Sequence, residues 1–396
     1  MRIKSIKQAK NIKGKRVLVR VDYNLPFKGG KLDFKENLRI KASIPTIKYL
    51  LEGGTTIILI AHLGRPVGWD KKLSLKPIAK YLPKILKKKV NFIEDNIEAK
   101  DISKKIKKGI NLLENIRFYE KECSGDKKFS KKIASLGDIY VNEGFSVAHR
   151  KDCSVAGLSN LLPAYAGLHL EKEIGALSRL LPKNIKRKNR PYVALMGGAK
   201  ISTKINLINS LLKSADSVLL GGALISNLLK YQGYKIGNTM IEDIPEKVIK
   251  KICKNKKIVF PIDIIIGRKN STKSAKIVKL GKKKTLCSKN EGILDIGPET
   301  VLEFSKYIKN AQTIVWNGPM GYFENLSFAY GTFSLARLIA GRGKGKTYAV
   351  IGGGETVSVL HKTGMAHYID WLSTGGGAML AYLAGEKLPG LRKIIK

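Results

Sequence analysis

The stretch TYAVIGGGETVSVLHKTG, residues 347–364, decides the fold. A β-rich apolar run stops at three consecutive glycines, a lone glutamate follows, and a helix-period segment begins at once. A buried strand that ends in a glycine turn and feeds a helix is the building unit of a parallel sheet covered by helices. The same alternation recurs outward from it. It predicts strands at 16–21, 56–61, 139–141, 192–196, 217–220, 258–260, 313–316 and 347–351, each followed by a glycine-bearing or polar loop and then a helix. The chain has 396 residues, more than the roughly 250–300 at which a single core stops growing. Two α/β lobes are therefore expected. The segment EKEIGALSRLLPKNIKRKNRP, residues 171–191, opens as an amphipathic helix and closes basic and proline-capped, which suits a connection between lobes.

Composition bounds the function. Hydrophobic residues make up 43%, ordinary for a globular chain. The N-terminus carries positive charge but no apolar core of a signal peptide, and no stretch offers about 18 uninterrupted apolar residues for a membrane span. A cytoplasmic, non-membrane protein is the expectation. Cys123, Cys153, Cys253 and Cys287 lie far apart, without the paired spacing of a zinc site, and read as free thiols. The formal charge of +43, from 74 basic and 31 acidic residues, invites a nucleic-acid reading. Its distribution argues otherwise, because lysines such as Lys127, Lys128, Lys131 and Lys132 stand beside apolar residues at helical spacing, as on solvated outer faces.

In open α/β sheets ligands sit beyond the carboxyl ends of the strands, so the loops there carry the site. In the first lobe they read DYNLP (22–26), HLGRP (62–66), ENIRF with Arg117, and FSVAHR with His149 and Arg150, while ENLRIKASIPT offers Arg39. Arginine forks grip carboxylate or phosphate bidentately, so a small substrate bearing both groups fits. In the second lobe the strand ends read GGAKISTK, GGALIS, NGPMGYFE and GGGETV. Glycine turns at helix starts, with Lys200 and Lys204 beside them, suit nucleotide phosphates. The helix after Lys204 should bury Ile201, Ile205, Ile208 and Leu212. AGRGKGKT, residues 340–347, imitates a phosphate loop, but a helix precedes it and a strand follows, the reverse of the required context. No G-x-G-x-x-G follows a strand, so a mononucleotide such as ATP is expected rather than a dinucleotide. A last cluster, STGGGA, residues 373–378, offers another turn to the transferred group.

Taken in order, RVDYNLP, HLGRP, LLENIRFYEKE, FSVAHR, LEKEI, RPYVALMGGAKISTKI, LDIGPET, VWNGPMGYFE, GGGET, STGGGA and GEKLPG resemble the phosphoglycerate kinase family over nearly the whole chain. The resemblance implies two Rossmann-like lobes, each a mostly parallel sheet covered by helices, joined by a hinge helix. It implies a 3-phosphoglycerate lobe at 1–170 with 378–396 returning to it, a hinge at 171–190 and a nucleotide lobe at 191–377. It places substrate on Asp22, Tyr23, Asn24, Leu25, Arg39, His62, Leu63, Gly64, Arg65, Arg117 and Arg150. It places nucleotide on Gly198, Lys200, Lys204, Gly222, Gly292, Asn317, Gly318, Pro319, Glu324, Gly352, Gly353, Gly354, Glu355 and Thr356. Arg39, Lys200, Gly375 and Gly376 would stabilise the moving group, and Glu355 would hold Mg2+ brought by ATP or ADP. The implied reaction is reversible transfer from 1,3-bisphosphoglycerate to ADP by a monomer in glycolysis, with neither membrane nor specific nucleic acid as partner.

Four departures stand out. Glu355 replaces the family's usual aspartate at the metal position. Glu143 with Gly144, Thr203, and Asp152 in place of a histidine are expected to concern packing or hinge contacts. Two other readings stay open: a different two-lobe ATP-dependent kinase or ligase, and a polyanion-binding protein exploiting the charge. Fold alone does not separate them.

Overall fold

The structure, a computed structural model, describes residues 2–35 and 37–395. The chain divides into two units, Met1–Gly175 with Lys387–Lys396, and Ala176–Glu386. In the first, β1 (Arg16–Arg20) is buried at every position after Arg16, as a strand covered on both faces must be. A small hairpin, β2 (Phe27–Lys28) and β3 (Lys31–Leu32), follows, then β4 (Thr56–Ile60), β5 (Val90–Ile93), β6 (Ile110–Leu113), β7 (Ile139–Asn142) and β8 (Ala164–Ala166). Six of these form a parallel sheet in the order β5-β6-β4-β1-β7-β8. The helix Lys127–Ala134 shows how the lysine runs are used: Phe129 and Ile133 face the core, while Lys127, Lys128 and Lys131 are exposed.

The second unit contains β9 (Tyr192–Met196), β10 (Ser217–Leu220), β11 (Ile258–Val259), β12 (Asp263–Gly267), β13 (Lys276–Lys279), β14 (Gly292–Ile296), β15 (Thr313–Asn317), β16 (Tyr348–Gly352) and β17 (Trp371–Ser373). Its parallel sheet runs β11-β10-β9-β15-β16-β17. That is the doubly wound order, with the chain reversing direction between β9 and β15. In the first unit the reversal falls between β1 and β7, and β6 is inserted between β5 and β4. An antiparallel sheet β13-β12-β14 stands apart. The helix Ile205–Ser214 buries Ile208 and Leu212 as expected, but Leu207 and Leu211 share the face and Ile205 is only half-buried.

Two expected boundaries shift. The connecting helix, expected from residue 171, spans Leu168–Ser178. It starts early because its first N–H groups find acceptors: Leu168 donates to Thr46 Oγ1 at 2.8 Å, and His169 and Leu170 donate to the Glu143 carboxylate at 3.1 and 3.0 Å. The remainder of 171–190 holds two short 3-10 turns, Pro182–Asn184 and Arg187–Asn189. The return to the first unit begins at Lys387 rather than 378. The helix Gly377–Leu383 stays with the second unit, where Ser210 Oγ donates to Leu383 O at 2.8 Å. Only beyond it do Gly390 O and Ile394 O accept from Asn142 Nδ2 and Lys4 N, at 3.1 and 2.8 Å.

Candidate functional site

In the first unit the switch between β1 and β7 gathers most of the residues predicted for substrate. Asp22, at the end of β1, accepts both Arg39 Nη1 contacts at 2.8 and 3.0 Å, Ser146 Oγ at 2.5 Å and Asn24 N at 3.1 Å. Burial works to raise its pKa, but the charge of Arg39 and these hydrogen bonds hold it below the usual carboxylate range. Asn24 Oδ1 accepts Gly64 N at 2.8 Å, and Gly64 O accepts Arg117 Nη1 at 2.8 Å, so three loops are laced together. The Arg117 Nε atom is buried without a partner. Arg65 is exposed, as an arm at the rim.

His62 is 3% exposed, with Nδ1 at 3.1 Å from Arg20 Nη2. A guanidinium only donates, so Nδ1 accepts and the imidazole proton sits on Nε2. Burial, then the Arg20 charge, keeps the ring neutral well below its ordinary pKa, with Asp22 opposing. Arg20 was not foreseen as a site residue. It is fully buried, donating from Nε to Ser154 Oγ at 2.8 Å and from Nη1 to Val21 O at 2.5 Å. Ser154 in turn donates to Glu122, from Oγ at 2.5 Å and from N at 2.9 Å. Burial pushes Glu122 up to about 7, although Arg20 pulls it down. A charged residue closing the apolar run RVLVR was the available signal.

Three expected substrate residues lie elsewhere. Tyr23, Leu25 and Leu63 are core residues, the Tyr23 hydroxyl lying 3.0 Å from Ser43 Oγ. Strand alternation explains this, because neighbours of a loop-facing residue point the other way. Asp152 lies beside the arginine cluster. Expected to concern packing or hinge contacts, it is buried, and its carboxylate accepts Arg150 Nε at 2.7 Å.

In the second unit a cavity of about 720 Å³ is lined by Gly198, Gly222, Gly292, Pro319, Glu324 and Glu355, with Arg268, Lys269, Asn238, Met240 and Asp295 among its other walls. Its volume suits a nucleotide-sized ligand. The glycine turns serve first to meet one another. Gly198 N donates to Pro319 O at 2.7 Å and Gly222 N to Met320 O at 2.8 Å, and a Cβ on Gly197, Gly222 or Gly318 would collide with the backbone of a neighbouring turn. Lys204 is 8% exposed beneath them, its Nζ donating to Gly197 O. Burial pulls its pKa down to about 8, with Glu355 opposing. Asn317 and Thr356 are buried at the same edge, Thr356 Oγ1 accepting Gly318 N at 2.9 Å.

The three glycines of 352–354 have three separate reasons. A Cβ on Gly352 would strike Met379 Sδ, so that glycine serves packing rather than ligand. Gly353 has φ of 93°, a conformation that side chains resist. Only Gly354 faces open space. Glu355 then stands exposed in the first turn of the helix Gly354–Lys362. Lys200 is exposed outside the cavity wall, close enough to Glu242 to help hold that carboxyl's pKa low. Gly375 and Gly376 follow β17 at the same edge, with Gly375 N donating to Ser373 Oγ at 3.1 Å and open space over Gly376.

A family model described as phosphoglycerate kinase matches residues 6–386. The chain belongs to the phosphoglycerate kinase family. A phosphoglycerate kinase of Pseudothermotoga lettingae is 41% identical, covering 97% of this chain and 96% of its own. Two solved phosphoglycerate kinases share the fold. That of Coxiella burnetii is 34% identical with a TM-score of 0.83, covering 99% of both chains. That of Pyrococcus horikoshii OT3 is 31% identical with a TM-score of 0.84, covering 99% of this chain and 98% of its own. Among the described residues no group of three or more His, Cys, Asp or Glu could hold a metal, and no helix is long and apolar enough to cross a membrane. All four cysteines are free.

Proposed function

We propose that this chain works as its phosphoglycerate kinase relatives are named: it moves a phosphoryl group reversibly from 1,3-bisphosphoglycerate to ADP, giving 3-phosphoglycerate and ATP in the cytoplasm, as a monomer. The observation that carries this reading is the cluster of Asp22, Arg39, His62, Arg117 and Arg150 at the switch point of the first unit, tied by hydrogen bonds and, for Arg150, by its charge on Arg117. Its cations and the His62 Nε2–H suit a small molecule bearing phosphate and carboxylate oxygens. The glycine-walled cavity of the second unit takes the nucleotide.

The attacking carboxylate, whose pKa in water is near ~3.5–4, is ionised at neutral pH and needs no general base. His62 fits that requirement, since it is a neutral donor whose other nitrogen is already occupied by Arg20. What remains is positioning and charge neutralisation. Arg39, tethered through Nη1 to Asp22, keeps its other nitrogens for the moving group. Lys204 supplies a buried cation to the phosphates, Lys200 an exposed one, and the turn at Gly375 and Gly376 offers the main-chain N–H of Gly376. The donor set also fits Mg2+, a hard cation that takes one or two protein carboxylates and fills its remaining positions with phosphate oxygens and water. Glu355, exposed beside the cavity, would hold it, and when bound it neutralises phosphate charge. In-line transfer requires donor and acceptor to meet, and we assign that hinge to residues 171–190.

A coupled assay following ATP formation from ADP and 1,3-bisphosphoglycerate tests the whole reading. Folded protein without Mg-dependent turnover would sink it.

A further inference from the structure

Asp152 is a buried carboxylate paired with one of the arginines expected at the substrate. It stands at the head of the turn Cys153–Gly157, yet its side chain accepts no hydrogen bond from that turn; its main-chain carbonyl does so, from Val155 N and Ala156 N at 3.1 and 2.9 Å. The carboxylate is thus free of the capping task that aspartate commonly has there. It is spent on Arg150 Nε instead, with the Asp152 side chain 3% exposed and that of Arg150 34%. Asp152 holds only Nε, and among the described residues no carboxylate occupies Nη1 or Nη2. Nη2 lies 3.9 Å from Cys123 Sγ at the surface.

The charge balance around this pair is lopsided. Burial, then the positive charges of Arg150 and Arg20, lower the Arg117 pKa, while Cys123 and after it Asp152 act in the opposite direction. Two neighbouring carboxyls are committed elsewhere: Asp22 to Arg39 and Ser146, and Glu122 to Ser154. Asp152 is therefore the carboxylate that takes positive charge out of the Arg117 and Arg150 pair, and it does so through the edge of Arg150 that a ligand does not need.

We propose that Asp152 is a positioning residue that aims the Nη edge of Arg150 at the anionic substrate and weakens the site's grip on that anion, so that binding remains reversible. This rests on the reading of Arg150 as a substrate arginine. A charge held at one fixed distance from the anion lowers its affinity uniformly in ground and transition states, which moves KM and leaves kcat nearly unchanged.

The test compares wild type with Asp152→Asn, Asp152→His, Asp152→Glu and Arg150→Met, using inorganic phosphate as a competitive inhibitor against 3-phosphoglycerate, with circular dichroism to verify folding. Asn keeps an oxygen for Nε but removes the charge. The expected result is a fall of about 3- to 10-fold in both the phosphate Ki and the 3-phosphoglycerate KM, the scale of one partly screened charge near the site. The KM for ATP should not move, Asp152→His should shift the same way, and Asp152→Glu should restore wild-type values. An unchanged or higher phosphate Ki in the Asn and His variants overturns the proposal, as does failure of both to fold. Arg150→Met separates the two layers: if it leaves phosphate Ki and 3-phosphoglycerate KM untouched, the placing of Arg150 in the substrate site is itself wrong.

Discussion

Lys204 makes nucleotide affinity depend on pH. Its ammonium is buried beneath the glycine turns, donating to Gly197 O, and burial brings its pKa from 10.5 to about 8 in the absence of ligand. With that pKa, the charged fraction is about 0.9 at pH 7 and about 0.1 at pH 9. If only the charged form receives ADP phosphates, the apparent Kd rises about tenfold over that interval, by the rule that affinity scales with the competent fraction. Binding ADP at pH 8 should then take up about half a proton. The phosphate's own protons are gone by then, since its second pKa is near ~6. The assay is calorimetric titration of ADP from pH 7.5 to 9.5 in two buffers of different ionisation enthalpy. Lys204→Met keeps the shape without the charge, and should bind ADP about 10- to 100-fold more weakly, the loss expected of a charge-assisted contact. Its Kd should be flat across the same range. A wild-type Kd as flat as that of the Met variant, or no proton uptake at pH 8, would refute the reasoning.

Further expectations follow from the same geometry. Lys204 is depressed in the folded state, so between about 8 and 10.5 the unfolded chain holds the extra proton; wild-type stability relative to Lys204→Met should rise with pH through that window, by about 3 kcal/mol, in urea denaturation. Asp295 has the opposite sign. Burial raises its pKa from 3.8 to about 8, against hydrogen bonds from Gly331 N and Ile296 N, so the folded state holds the extra proton and stability falls as pH climbs through that range. Asp295→Asn should flatten the fall, by on the order of 1.4 kcal/mol per pKa unit removed. Arg20→Met strips the cation from the Ser154 and Glu122 network and should cost about 3–5 kcal/mol in unfolding free energy, the scale of breaking a buried charged pair. A change below about 1 kcal/mol in urea would contradict that role. Glu355→Asp should keep activity with an altered Mg2+ requirement while Glu355→Ala loses most of it; normal turnover of the Ala variant at ordinary Mg2+ would reduce Glu355 to a helix N-terminal charge.

Several strands with apolar runs were legible in the sequence, and 192–196 and 217–220 coincide with β9 and β10. The isoleucine run of β12 was passed over, and so were strands interrupted by polar residues. VNFI follows three lysines at the sheet edge, and INLL runs directly into a loop read for its arginine, so β5 and β6 stayed hidden. Sheet order was also out of reach, because it depends on pairings far apart in sequence. That order puts Ser146 on Asp22 and Pro319 O on Gly198 N. In the site, residue types in loops picked out arginines and glycines that the structure gathers at strand ends. They could not say which neighbours turn inward, hence Tyr23 and Leu63 in the core, nor that Gly352 clears room for Met379 rather than for phosphate. Buried supports such as Arg20 and Glu122 carry no spacing pattern and emerge only from packing.

The account stands or falls on phosphoryl transfer itself. Purified chain given ADP, 1,3-bisphosphoglycerate and Mg2+ should form ATP and 3-phosphoglycerate in equal amounts, run backward when the products are supplied, and lose the reaction in Lys204→Met and Arg39→Met. Well-folded protein that makes no ATP under those conditions, or makes it equally well without Arg39, would contradict it.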